Sequence, residues 1–176
     1  MFLTDKYHPS ESSHKKITSN VAKDFFASFP SGVTIVTSSN LNGALQGTTV
    51  SAFTSVSLEP TLILICLDQK SRTATAISER KSFAVHFLNA EMSDLATHFA
   101  QNLDRKFSDI SYKLSNKNIP IIKDCSTYIE CDLQASHFAG DHIIMIGSVT
   151  KIESSSDFEP LVYHQRLFHS LRQVDQ

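Results

Sequence analysis

The run Thr49-Val50-Ser51-Ala52-Phe53-Thr54-Ser55-Val56-Ser57-Leu58-Glu59-Pro60 crowds hydroxyls and small side chains into one short stretch. The apolar run Leu62 to Leu67 follows, and then Ser71-Arg72-Thr73. Small hydroxylated residues let backbone approach a planar ring and hydrogen-bond its edge, while apolar neighbours pack on the remainder. A Ser-Arg-Thr step at a helix start offers free amides, the positive end of the macrodipole, two hydroxyls and a guanidinium, which together suit phosphate. Lys70 adds charge just ahead of that step, and Asp68 can cap the loop or accept a hydroxyl. Farther on, Gly140-Asp141-His142 sets an imidazole at a turn before the β-branched stretch Ile143 to Val149. Each feature also has a plainer reading. The Ser/Thr run serves equally as an edge strand with no ligand, Ser71 as a helix cap beside a solvated arginine, and Asp141-His142 as the closure of a hairpin.

These groups need elements to hold them. Val21, Ala22, Phe25, Phe26 and Phe29 recur at helical spacing, with Ser19 or Asn20 as the cap and Pro30 as the stop. Val33 to Thr37 reads as a strand, and Asn40-Leu41-Asn42-Gly43 as a hairpin turn. Leu62 to Leu67 is apolar on both faces, as a fully buried strand would be, and a short helix starts at Ser71. Phe83 to Leu88 is a further strand; its His86 belongs to the barrel surface or core rather than to a site. Met92, Leu95, Ala96, Phe99 and Ala100 form a helical stripe capped by Asn89. Residues 102–124 are polar and irregular and read as a long surface excursion. Tyr128 to Leu133 alternates, and Ile143 to Val149 closes the strand set. Strands dominate without a βαβ rhythm, so an antiparallel barrel with helical decoration is expected. Residues 1–18, rich in Ser, Lys and His, are expected to form a flexible arm, and 19–170 a single domain.

Composition removes several classes. The chain has 176 residues and a net charge of −2, and its basic residues do not cluster, so nucleic acid is not an expected partner. Met1 to Ser10 carries no apolar stretch and the longest apolar run has six residues, so neither a secretory leader nor a membrane span is expected. A cytoplasmic location follows, and Cys66, Cys125 and Cys131 are expected to be reduced core thiols. Glycine is too sparse for a dinucleotide or P-loop fingerprint. His137 with His142 and His164 with His169 lack the pattern of a metal site, so none is expected. No Trp is present, which leaves stacking to Phe, Tyr or aliphatic side chains.

The order of the Thr49–Pro60 run, the buried strand, Ser71-Arg72-Thr73, Gly140-Asp141-His142 and Pro160-Leu161-Val162-Tyr163-His164 resembles the flavin reductase family, from about Phe25 to about His164. That resemblance implies a six-stranded antiparallel FMN-binding split barrel. It also implies hydride transfer from NADH or NADPH to FMN or FAD, a homodimer with flavin near the subunit interface, and a separate monooxygenase that uses the reduced flavin. By position, Thr49, Val50, Ser51, Ser55, Val56 and Ser57 would line the flavin ring, Ser71, Arg72 and Thr73 with Lys70 would hold the phosphate, and Asp68 would stand near the ribityl chain. His142 would lie where nicotinamide docks, with Lys106 and Phe107 near either nucleotide. Two departures stand out. Gln165-Arg166-Leu167-Phe168 replaces the family's Arg-Gly-Arg-Tyr, and Thr48 stands where many relatives have Met; the missing glycine is expected to alter the turn. An FMN-binding oxidoreductase that retains its flavin for another acceptor, and a non-catalytic flavin-binding protein, remain alternative readings.

Overall fold

The computed structural model describes residues 17–172, so the expected arm lies outside the described residues except for Ile17 and Thr18. In chain order the elements are α1 (Ser19–Phe26), β1 (Ser31–Gly32), β2 (Thr34–Ser39), β3 (Leu45–Val50), β4 (Phe53–Leu58) and β5 (Thr61–Asp68), then α2 (Arg72–Arg80), β6 (Ser82–Phe87) and α3 (Ser93–Ala100). The chain continues through β7 (Tyr112–Leu114), β8 (Pro120–Ile122), β9 (Tyr128–Ala139), β10 (His142–Glu153), β11 (Leu161–His164) and β12 (Leu167–Ser170).

Alternation decides the main sheet. Ile63, Ile65 and Leu67 on β5, Phe83 and Val85 on β6, Ile129 and Cys131 on β9, and Met145 on β10 pack into one core. Every second residue of a strand points the same way, so these positions line one face of the antiparallel sheet and meet in a single core. The order is β3-β2-β6-β9-β10-β5-β4, seven strands rather than the expected six. Its two edges, β3 and β4, are sequence neighbours joined by Ser51 and Ala52 alone. The chain itself therefore spans the split of the barrel. A second core of Ile35, Leu88, Ala96, Phe99 and Leu161 sits beneath α3 and the small sheet β1-β11-β12.

Two glycines make room for rings. A Cβ on Gly147 would meet Phe83 at 2.5 Å, and one on Gly47 would meet Phe99 at 2.7 Å. The buried hydroxyls of β2 are answered. Thr34 Oγ1 donates to the Val50 carbonyl at 2.7 Å, Thr37 Oγ1 to that of Pro120 at 2.7 Å, and Ser38 Oγ to that of Ser82 at 2.8 Å. His86 is fully buried. Its Nδ1–H donates to the Ile35 carbonyl at 3.1 Å and its Nε2 accepts the Ile122 amide at 3.1 Å. That pairing requires neutral imidazole, and burial lowers its pKa to about 4.

Several sequence expectations change. Thr18, not Ser19 or Asn20, caps α1, because its extended backbone turns the hydroxyl onto the Val21 amide at 3.5 Å. Asn89 does not cap α3: Oδ1 accepts the Glu91 amide two residues on, and Met92 occupies the cap position. β5 buries only one face, since Leu62, Leu64 and Cys66 are partly exposed. Residues 102–124 are a surface excursion only in part: most of 102–118 is exposed, whereas Ile119, Ile121 and Ile122 are wholly buried. The turn after His164 takes left-handed backbone without glycine: Gln165 and Arg166 have φ of 49° and 66°. The Gln165 amide donates to the Ala27 carbonyl at 2.6 Å, and Arg166 pairs with Asp24 of α1. All three cysteines are free, and burial pushes Cys125 and Cys131 up to about 12. No helix among the described residues is long and apolar enough to cross a membrane.

Candidate functional site

The centre of the site is the turn from β5 into α2. Asp68 organises it, accepting the Lys70 amide on Oδ1 at 2.7 Å and the Ser71 amide on its carbonyl at 2.9 Å. Ser71 then takes an extended backbone and its Oγ accepts the Ala74 amide at 3.4 Å, which starts α2. The Arg72 and Thr73 amides fall in the first turn, where a helix offers no acceptor of its own. Thr73, Ala74, Ala76 and Ile77 are buried, so the helix is anchored and its N-terminus is fixed in place.

Two adjoining depressions meet at this turn. The larger, of about 640 Å³, is lined by Gln46, Gly47 and Thr48 of β3, by Asp68 and Lys70 to Thr73, and by Gln101, Asn102, Asp104 and Lys106 from the segment after α3. Arg72 reaches across it to that segment, with Nη1 3.0 Å from Asp104 Oδ1 and Nη2 3.1 Å from Asn102 Oδ1. Lys106 Nζ donates to the Phe99 carbonyl at 2.6 Å. Burial, with the Arg72 charge nearby, holds its pKa below the usual lysine range.

The smaller depression, of about 290 Å³, is lined by Thr48 to Ala52, Cys66 to Asp68, Ser71 and His142. Thr48, Asp68 and Ser71 belong to both, so the two form one groove along the split. On its β3 wall the strand is an edge, where alternate N–H and C=O groups have no neighbouring strand. The Thr49 hydroxyl is engaged elsewhere, donating to the Ala96 carbonyl of α3 at 2.6 Å.

His142 stands at the start of β10, opposite Asp68 in the strand register. Gly140, at φ 63°, makes the turn before it possible. Gln69 ties that turn to the α2 turn, its amide donating to the Asp141 carbonyl at 3.0 Å and Nε2 to that of Gly140 at 2.8 Å. His142 Nδ1 lies 2.7 Å from Asp141 Oδ1. A carboxylate only accepts, so Nδ1 carries the proton and Nε2 is the nitrogen left for a ligand. This contact holds the Asp141 carboxyl below its ordinary pKa.

Of the residues singled out from sequence, Thr49, Val50, Ser51, Asp68, Lys70, Ser71, Arg72, Thr73, Lys106 and His142 line the groove. Phe107 does not; it is buried against Phe99, ring centroids 5.2 Å apart. Ser55, Val56 and Ser57 lie on β4, outside both depressions. Sequence reasoning missed Gln69, Asn102 and Asp104. Gln69 carried no signal of its own, and the other two sit in a segment without periodicity.

On the other side of Ser51 and Ala52 lies an apolar cavity of about 590 Å³, lined by Phe26, Phe29, Phe53, Leu64, Phe87 and Phe158 among others. Phe25, Phe26 and Phe29 are 73%, 70% and 77% exposed, so α1 turns its apolar stripe outward.

Comparison with known proteins places this arrangement. The family described as flavin reductase like domain matches residues 26–172. A Rhizobium meliloti protein named "Probable flavin reductase" is 38% identical over 133 residues, which are 76% of this chain and 43% of that one. "Stachydrine N-demethylase reductase subunit Stc3" of the same organism is 32% identical over 133 residues, 76% of this chain and 58% of that one. The chain thus spans only about half the length of these two relatives. The crystal structure of flavin reductase HpaC complexed with NADP+ superposes with a TM-score of 0.80 at 35% identity, covering 88% of this chain and 98% of that one.

Proposed function

This chain belongs to the family of flavin reductase like domains, and from that premise we propose that it transfers hydride from NADH or NADPH to FMN or FAD and releases the reduced flavin to a separate monooxygenase. The observation that carries the reading is the continuous groove in the barrel split. It joins a helix N-terminus bearing Ser71 and Arg72 to a narrower pocket flanked by His142. A cationic, amide-rich end and a small pocket with the apolar walls Val50, Cys66 and Leu67 fit a phosphorylated heterocycle. Bound flavin supplies a ring that accepts hydride.

The chain's own residues bind, orient and stabilise. Ser71, Arg72 and the first-turn amides of α2 hold phosphate, with Lys70 and Lys106 adding charge. Thr49, Val50 and Ser51 offer backbone groups to the ring edge. Donors fixed in an edge strand need no rearrangement as negative charge develops there. His142, with Nδ1 held by Asp141, presents Nε2 toward the position of the nicotinamide. No protein acid or base is needed for the hydride step itself.

Phe25, Phe26 and Phe29, with Leu58 of β4 at 87% exposure, leave large apolar side chains open to solvent, as a face awaiting a partner would. A second copy covering it makes the protein a homodimer, with 19–170 as the working unit in the cytoplasm. The function is tested by offering FMN, FAD and riboflavin separately and following NADH or NADPH oxidation. Flavin-dependent consumption supports a reductase. Oxidation that never rises above the flavin-free rate contradicts it, and activity with only a non-flavin acceptor points to a retained cofactor.

A further inference from the structure

The guanidinium assigned above to phosphate already has a carboxylate. Arg72 contacts Asp104 Oδ1 at 3.0 Å, Asn102 Oδ1 at 3.1 Å and the Leu103 carbonyl at 2.5 Å. All three acceptors belong to one short segment after α3, so a single loop fills the fork that would otherwise face a phosphate. The Asp104 side chain is 98% exposed, and among the described residues its one hydrogen bond is to Arg72. Burial therefore does not place that carboxylate; the cation does. Lys106 and Lys70 line the same depression as this pair. A phosphate seat gathers positive charge, and here a carboxylate from a loop neutralises part of it.

We propose that Asp104 is a built-in competitor for the flavin phosphate: Arg72 exchanges Asp104 for phosphate oxygens as FMN binds and takes the carboxylate back as reduced FMN leaves. The proposal rests on the reading that Ser71 and Arg72 seat the phosphate. Its physical basis is that an exposed ion pair is weak enough to open readily, while a carboxylate next to a phosphate dianion raises the cost of the bound state. The consequence is an affinity for phosphorylated flavin held at the level of a substrate that must be given up. The simpler role, Asp104 as a brace that aims Arg72 at the ligand, predicts an effect of the opposite sign.

Equilibrium titration of FMN and of riboflavin, which lacks the phosphate, into the full chain separates these readings. Asp104→Asn keeps the shape of an exposed side chain and removes its charge. It should raise the ratio of FMN affinity to riboflavin affinity about three- to fivefold, with slower FMN dissociation in stopped flow. Arg72→Ala should lower that ratio, and Asp104→Asn added to it should then give no gain. If Arg72→Ala lowers the ratio but Asp104→Asn leaves it unchanged or lowers it, Asp104 is a brace and the competitor is refuted. If Arg72→Ala leaves the ratio unaltered, the phosphate seat fails, and the proposal fails with it.

Discussion

Ser51 and Ala52 lie between two hollows of opposite character. On one side the groove is walled by an edge strand, a capped helix start, three cations and a histidine, and the groups shown there are held by hydrogen bonds within the chain. On the other side the cavity is walled by phenylalanine and leucine, and its rim is the exposed stripe of α1. Polar groups fixed in place before a ligand arrives are what recognition of a small charged molecule needs. Exposed rings held by nothing need a covering surface. The difference fits the proposed division of labour, with one hollow as a ligand site within the chain and the other as a face for a second copy.

The largest effect should come from breaking the apolar side. Phe26→Asp with Phe29→Asp should dissociate the proposed homodimer, raising its Kd by at least about a hundredfold, since each buried ring contributes roughly 1.5–3 kcal/mol. Sedimentation velocity reads this directly. A parent that is monomeric at every concentration, or a double variant that still dimerises, would erase the contrast.

On the polar side, Ser71→Ala with Arg72→Ala should weaken FMN binding tenfold or more while changing riboflavin much less, since a charge-assisted contact contributes about 1.5–3 kcal/mol. Equal losses for both flavins would mean that these residues support the fold.

His86 serves as a control that belongs to neither hollow. Its folded pKa is about 4 against an ordinary 6.5, so the unfolded chain takes up the proton first as pH falls. Its contribution is intact above pH 6.5 and declines toward pH 4, by about 3 kcal/mol in all. Urea unfolding across that window should show the slope, and His86→Gln should lose that share of it.

The smallest effect expected is at His142. His142→Ala should raise the KM for the nicotinamide nucleotide or slow flavin reduction about three- to tenfold, the worth of one hydrogen bond. FMN affinity and thermal stability should hardly move, because the side chain is half exposed. A lower melting temperature with normal kinetics per folded molecule would make it a hairpin residue only.

Local chemistry was legible in the sequence, and long-range pairing was not. Ser71 reads as a cap because the signal sits within one helical turn, and Gly140-Asp141-His142 reads as a turn for the same reason. Asp104 lies 32 positions from Arg72, and nothing along the chain announces that they meet. Ser55, Val56 and Ser57 repeat the residue types of Val50 and Ser51, yet a strand reversal sends them to the opposite edge of the sheet. Ile119, Ile121 and Ile122 were hidden among polar neighbours, because a three-residue strand is too short to show a period. The α1 stripe was visible, but periodicity tells that a face is apolar and not which surface covers it.

The central claim is that flavin reduced in the groove leaves it. Anaerobic stopped-flow mixing of the protein, reduced with NADH or NADPH in the presence of FMN, against an apo-oxygenase as a flavin trap tests this most directly. The account predicts transfer of reduced FMN to the trap faster than reoxidation on the protein, and faster still from Ser71→Ala with Arg72→Ala. Reduced flavin that stays with the barrel whatever the trap concentration would contradict it.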